Sequence, residues 1–157
     1  MDETAKTGDE QYMRRALALA RLAEESGEVP VGAVVVLNGE IVGEGWNAPI
    51  ALHDPTAHAE MQALRAAATN TGNYRLTGAT LYCTLEPCPM CAGALVHARV
   101  SRLVFAARDL RFGGVRSKFQ IADSPLLNHR VEITEGVLAA DCTALLQQFF
   151  LNKRSAD

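Results

Sequence analysis

Two short stretches of the 157-residue chain carry side chains suited to chemistry, His58-Ala59-Glu60 and Pro87-Cys88-Pro89-Met90-Cys91. Cys88 and Cys91 lie three apart, which puts both sulfurs on the same side of a helix's first turn. Pro89 suits the first helical position, where a missing N–H costs nothing. The positive end of that helix favours thiolates, the form that binds zinc. Deep in a helix, residues two apart such as His58 and Glu60 point to nearly opposite sides, so both reach one metal only if the helix opens there. Pro55-Thr56 just upstream fits such a helix start. One imidazole and two thiolates make three zinc ligands, and a catalytic zinc keeps three protein ligands with the fourth place for water. Two thiolates cancel the metal's charge, and the Glu60 carboxylate beside it can take a proton from that water and hand it on. The alternative is a structural zinc with a fourth protein ligand, for which Cys83, Cys142, His53 and His97 are the candidates. None has an obvious reach, because Cys83 falls mid-strand, Cys142 in the last helix and His97 two turns beyond Cys91. Cys83 and Cys142 read instead as buried apolar residues.

These motifs must be positioned by a regular alternation of elements. Residues 9 to 26 read as a helix, with Tyr12, Ala16, Leu19 and Ala23 on one face and Gly27 just past its end. Strands Ala33–Leu37 and Glu40–Trp46 flank Asn38-Gly39, the strongest short hairpin signal, and are expected to be antiparallel. A second helix runs from beyond Pro55-Thr56 to about Thr69, followed by a short strand at Leu81–Thr84. A third helix begins near Pro89 and carries Met90, Ala94, Leu95 and Ala98. Strands follow at Val100–Ala106 and Val131–Thr134, and residues 139 to 151 close the chain as a helix with Leu145, Leu146, Phe149 and Phe150 in its stripe. Alternation after the hairpin implies parallel pairing, hence a mixed sheet with helices on both faces.

Composition sets outer limits. Hydrophobic residues make up 48% and charged residues 21% of the chain, with a net charge of -3; these are ordinary values for a single globular domain. The expectation is one domain over residues 1–157 with an ordered core of about 9–152 and mobile ends at 1–8 and 155–157. A uniformly basic, DNA-coating surface is excluded, while a local basic patch is not. No apolar run approaches the roughly 20 residues a bilayer demands. The first ten residues are acidic and polar, without the basic start and apolar centre of a signal peptide. The expected location is the cytoplasm, where thiols stay reduced.

The pairing of H-x-E with P-C-x-x-C resembles the signature of zinc-dependent nucleobase deaminases. A closer resemblance is carried by Glu28-Val29-Pro30-Val31-Gly32-Ala33, Gly45-Trp46-Asn47, His53-Asp54-Pro55-Thr56-Ala57-His58-Ala59-Glu60 and Thr84-Leu85-Glu86-Pro87-Cys88-Pro89-Met90-Cys91-Ala92-Gly93-Ala94. With Ala107-Arg108-Asp109 and Asn128-His129-Arg130-Val131, these stretches resemble the bacterial tRNA-specific adenosine deaminases over about residues 10 to 152. The resemblance implies a three-layer α/β/α, cytidine-deaminase-like fold with a mixed five-stranded sheet. It implies conversion of adenosine to inosine at the wobble position (34) of an arginine tRNA, recognised through its anticodon stem-loop by a homodimer; neither DNA nor a membrane is an expected partner. Carried over, His58, Cys88 and Cys91 hold one zinc ion per subunit. Glu60 is the proton shuttle for attack of a zinc-activated hydroxide on C6 of the adenine. Asn47 matches the residue that hydrogen-bonds the flipped base, since its amide both donates and accepts. Two positions depart from the pattern: Arg111 stands where many members carry Lys, and Cys83 is unusual in its strand.

An acidic protein that binds tRNA needs its positive charge in one place. Residues 99 to 118 hold Arg99, Arg102, Arg108, Arg111, Arg116 and Lys118 against Asp109 alone, a local +5 that leaves -8 for the rest of the chain. The expectation is an RNA-facing patch including Arg108, Asp109, Arg111 and Phe112, with Phe112 available to stack on an unpaired base. A solvated loop is the alternative on charge alone. Lys153 and Arg154 extend the patch or complement their helix's dipole. Two other functions remain open: a deaminase of free cytidine, cytosine or guanine, and a non-catalytic RNA-binding subunit with a structural zinc.

Overall fold

The computed structural model describes residues 3–156. Helix α1 (Glu3–Glu25) leads into a hairpin of β1 (Gly32–Leu37) and β2 (Glu40–Trp46). A single turn, α2 (Pro49–Leu52), precedes α3 (Ala59–Thr71), β3 (Thr80–Leu85), α4 (Pro89–His97) and β4 (Arg102–Ala107). A long irregular segment then reaches β5 (Glu132–Glu135) and α5 (Ala139–Ala156). The sheet order is β2-β1-β3-β4-β5, antiparallel across β2, β1 and β3 and parallel across β3, β4 and β5. The mixed five-stranded sheet and its hairpin are therefore as the sequence suggests, with Asn38 and Gly39 both at positive φ in the turn. Among the described residues no helix is long and apolar enough to cross a membrane.

Strand alternation divides the core in two. On one face Val35, Leu81, Cys83, Leu103 and Phe105 pack against Ala63 and Ala67 of α3 and Leu95 of α4. On the other, Val34, Val36, Tyr82 and Val104 meet Met13, Ala16 and Leu17 of α1 and Cys142 of α5. Two helices on each face give the three-layer arrangement.

The ends depart from expectation. Helix α1 starts before the expected residue 9, with residues 3–8 in its first turns, and α5 runs past residue 151 to include Ser155; residues 1, 2 and 157 are outside the described part. The reason at the N-terminus is Asp9, buried among apolar neighbours. It accepts two bonds from the Arg102 guanidinium at 2.9 and 2.7 Å and one from the Tyr82 hydroxyl at 2.7 Å. That network ties the start of α1 to β3 and β4, so the polar beginning of the helix has tertiary support that hydrophobic periodicity does not reveal.

Helix α3 lies unusually close to β2 because the facing residues are small. A Cβ on Gly45 would collide with the Ala59 carbonyl oxygen and sit 2.6 Å from the Ala63 nitrogen, and Gly43 is similarly crowded by Ala63 and Ala67. Only hydrogen fits between these backbones. Gly45→Ala is expected to push α3 off the sheet and cost about 1–3 kcal/mol, as overpacking does. At about 2–4 °C per kcal/mol for a domain of this size, thermal unfolding reads that loss directly.

Candidate active site

The first turns of α3 and α4 meet at one end of the sheet. His58 is the residue that caps α3, extended at φ -74° and ψ 154°, so its ring leaves the chain before the helix begins. Glu60 follows inside the first turn and is buried. The opening of the helix at His58 thus lets two residues only two apart serve one centre. Cys88 caps α4 in the same extended form, Pro89 takes the first helical position, and Cys91 lies buried in the first turn. Cap positions usually hold Ser, Thr, Asp or Asn bonded to the helix amides. Neither His58 nor Cys88 makes such a bond, which leaves both side chains free to face each other.

His58 Nδ1 is 3.5 Å from Cys88 Sγ and 3.5 Å from Cys91 Sγ, and the three donor atoms lie within 4.8 Å of one another. Zinc–sulfur bonds of about 2.3 Å and zinc–nitrogen bonds of about 2.0–2.1 Å, at tetrahedral angles, separate sulfur from nitrogen by about 3.5 Å. The donor set and its spacing therefore fit zinc. Among the described residues no other His, Cys, Asp or Glu joins the group, and Cys83 and Cys142 are buried free thiols. The three donors share protons unequally. The Cys91 thiol, hydrogen-bonded to Cys88, pulls Cys88 down to about 4, with His58 adding to the effect against the cost of burial. That contact, with burial, pushes Cys91 up, and the Cys88 sulfur raises His58. Burial also raises Glu60 above the ordinary carboxylate range, favouring a group that can carry a proton.

A cavity of about 730 Å³ opens over this centre. It is lined by Asn47, His58, Glu60 and Cys88 at one end and by Arg108, Asp109, Arg111 and Phe112 along one wall, so of the candidate zinc, proton-shuttle and base-binding residues only the buried Cys91 does not border it. Val29, Val31, Leu146 and Phe150 add apolar area.

A model of the cytidine and deoxycytidylate deaminase zinc-binding region matches residues 6–107. The chain belongs to this deaminase family. Its cofactor is accordingly zinc, for which His58, Cys88 and Cys91 form the candidate site. The deaminase chain is similar to the tRNA-specific adenosine deaminase of Haemophilus influenzae, 54% identical over 147 residues that cover 93% of this chain and 85% of that one. The enzyme of the same name from Bacillus subtilis is 45% identical over 148 residues, covering 94% and 92%. A solved structure from a study of A-to-I editing by tRNA:A34 deaminases at the wobble position of transfer RNA superposes with a TM-score of 0.83 at 40% identity, covering 86% of this chain and 98% of that chain. A guanine deaminase from Nitrosomonas europaea reaches 0.78 at 26% identity, covering 89% and 83%.

The basic segment of the deaminase chain is not the continuous patch its composition suggests. Arg102 is committed to Asp9, Arg108 to Glu135 at 2.8 Å and Arg116 to Asp123 at 3.0 Å. Arg102 is the first residue of β4 and Arg99 lies in the turn before it, a strand's length from the cavity. What remains at the site is Arg111, stacked 5.8 Å from the centre of the Phe112 ring, both exposed. Asp109 uses Oδ1 to accept from the Arg111 and Phe112 N–H groups, so it shapes the loop that presents them.

Two buried carboxylates had no role assigned from sequence. Glu28 accepts from the Ile50 and Ala51 N–H groups at 3.2 and 2.8 Å, which pins α2 just beyond Asn47. Glu86 accepts from the loop 109–117; burial raises its pKa, but the Ser117 hydroxyl and three backbone N–H groups outweigh that and hold it below the ordinary value. A charge between apolar neighbours, as in Leu85-Glu86-Pro87, is the signal that marks Glu86, whereas Glu28 follows the polar run Glu24-Glu25-Ser26-Gly27 and carries no such mark.

Cys88→Ser and Cys91→Ser are each expected to leave less than one zinc per chain by elemental analysis of purified protein. Cys142→Ser, on the opposite side of the sheet, is expected to retain it. Equal zinc in all three proteins would remove the thiols from the centre.

Proposed function

We propose that the protein deaminates adenosine to inosine at the wobble position (34) of a tRNA, and of an arginine tRNA in particular. The observation that carries this reading is the continuous wall from the His58–Cys88–Cys91 centre through Glu60 and Asn47 to the exposed Arg111–Phe112 pair. A free base needs only the first part of that wall. A base splayed out of an RNA loop brings phosphate and neighbouring bases, and the second part offers a cation and an aromatic face for them. The relatives named tRNA-specific adenosine deaminases support the same assignment.

Zinc held by His58, Cys88 and Cys91 supplies a Lewis acid that makes water nucleophilic near neutral pH. Asn47 holds the edge of the adenine through an amide that donates and accepts. As water adds to C6, Glu60 takes its proton and passes it to the ring nitrogen N1. Glu60 then carries the second proton of the former water to the departing amino group; the C6–N bond breaks, ammonia leaves and the carbonyl of inosine remains. The apolar residues Val29, Val31 and Leu146 keep bulk water from the reacting carbon. The homodimer belongs to the same reading, and exposed Phe119, Leu126 and Leu127 offer apolar area to a second copy.

The second reading, a deaminase of free bases or nucleosides, draws on the guanine deaminase neighbour. A non-catalytic subunit with a structural zinc is disfavoured by the three-donor centre and by the presence of Glu60. Inosine formation is to be measured at the wobble base of a transcribed arginine tRNA, with free adenosine, cytidine and guanine alongside. The expected result is inosine in the tRNA alone; turnover of a free compound with untouched tRNA supports the second reading instead. Glu60→Ala is expected to keep zinc and lose about 10²–10⁴-fold in turnover. Arg111→Glu is expected to weaken tRNA binding at moderate salt and reduce the salt slope by about 1. Unchanged affinity and slope would detach Arg111 from the RNA.

A further inference from the structure

Glu86 is a buried carboxylate two residues before Cys88, and it has no ion-pair partner among the described residues. Such a group is tolerated only where hydrogen-bond donors replace the water it has lost. Backbone supplies most of them. Oε2 accepts from the N–H groups of Val115, Arg116 and Ser117 at 3.1, 2.7 and 2.9 Å. Oε1 accepts from the Asp109 N–H at 3.1 Å and from the Ser117 hydroxyl. The donors come from both ends of one loop, so a single carboxylate closes that loop around residues 110–112.

The loop is also seated on the segment that delivers Cys88. The Gly114 N–H donates to the Pro87 carbonyl at 2.8 Å, and a Cβ at Gly114 would stand 2.7 Å from the Pro89 nitrogen. A Cβ at Gly113 would run into the Glu86 carboxylate itself. The opposite side of the loop presents Leu110, Arg111 and Phe112 to the cavity. Two glycines thus permit the contact, and one carboxylate holds it.

We propose that Glu86 is a positioning residue, whose carboxylate clasps the substrate-facing loop Arg108–Phe112 to the segment between β3 and α4 that carries Cys88, fixing the distance between substrate wall and metal centre. Its effect on RNA rests on the proposed function; the clasp itself does not. Glutamine at this position keeps the shape but turns an NH₂ group toward backbone donors, which breaks one side of the clasp.

The test compares zinc-loaded wild type with Glu86→Gln, Ser117→Ala and Gly113→Ala. Each protein is examined for zinc content, for hydrogen exchange at the amides of Asp109, Val115, Arg116 and Ser117, and for KM and kcat on an anticodon stem-loop RNA. In Glu86→Gln, exchange at these amides is expected to rise about ten-fold or more while α4 stays protected. KM is expected to rise about ten-fold with kcat within about three-fold and zinc retained, because a displaced wall costs binding before it costs chemistry. Ser117→Ala removes one hydroxyl and leaves the four amide bonds, so its KM is expected to stay within about three-fold of wild type. Unchanged exchange, a fall in kcat at constant KM, or loss of zinc in Glu86→Gln each overturns the proposal. Should Glu86→Gln fail to fold, Gly113→Ala disturbs the same contact from the loop side, and wild-type exchange and KM there overturn it equally. If wild type leaves the RNA unedited, the proposed function has failed, and exchange at the four amides still decides the clasp.

Discussion

Two sulfurs and an imidazole nitrogen held within 4.8 Å of one another compete for protons, and a divalent cation is what reconciles them. Keeping them so close without the flexibility of a surface loop is a backbone problem. The protein solves it by placing His58 and Cys88 at the caps of two helices whose first turns converge, and by taking Cys91 from the first turn of the second. Both helices turn their positive ends toward the same point, which favours thiolate over thiol. The convergence then depends on how closely α3 lies on the hairpin. Gly43 and Gly45 let its backbone approach until nothing larger than hydrogen separates them. The fold is in this sense built outward from the spacing of three atoms.

Four buried acids show how one residue type is put to different ends by its partners. Asp9 is matched with a guanidinium and a tyrosine hydroxyl and joins α1 to the sheet. Glu28 and Glu86 are matched with backbone N–H groups and hold α2 and the loop beside the cavity in place. Glu60 has no comparable set of donors. Its hydrogen bonding comes from its own backbone and the thiols of Cys91 and Cys83, and burial holds its pKa up. A carboxylate caged by amides gives up its lone pairs to structure, whereas one left with few donors keeps them for a moving proton. The contrast picks out Glu60 without reference to any motif.

Much of this was legible in the sequence because helix starts are written locally. Pro89 between two cysteines, and Pro55-Thr56 ahead of His58, announce the caps, and Asn38-Gly39 announces the hairpin. What was not legible depends on partners far away in the chain. Arg102 looked like part of a basic patch because its neutralising acid, Asp9, lies 93 residues earlier, and Arg108 is answered by Glu135, 27 residues later. The same long-range pair explains the start of α1, where polar residues are helical because Asp9 is anchored. The α2 turn escaped notice for a related reason. Its four residues are too few to show a period, and its amides are capped by Glu28 from another part of the chain.

Once the internal pairs are removed from the count, an acidic chain has little field to offer a distant polyanion. Charges separated by more than about 8 Å are largely screened at physiological salt. Attraction at the site is then a matter of the few cations that touch the cavity or its rim. Arg111 stands at the junction of the cavity and an adjoining groove, which is also lined by Phe150 and by Arg154 of α5. Cations interleaved with exposed aromatic rings suit single-stranded RNA, whose bases can be splayed and stacked, better than a duplex, whose phosphates are read as a regular array. Pairing half of the basic segment's cations internally therefore does more than stabilise loops. It leaves Arg111, a cation with no ion pair among the described residues, beside the cavity, so that on the proposed function binding and reaction geometry depend on the same short wall.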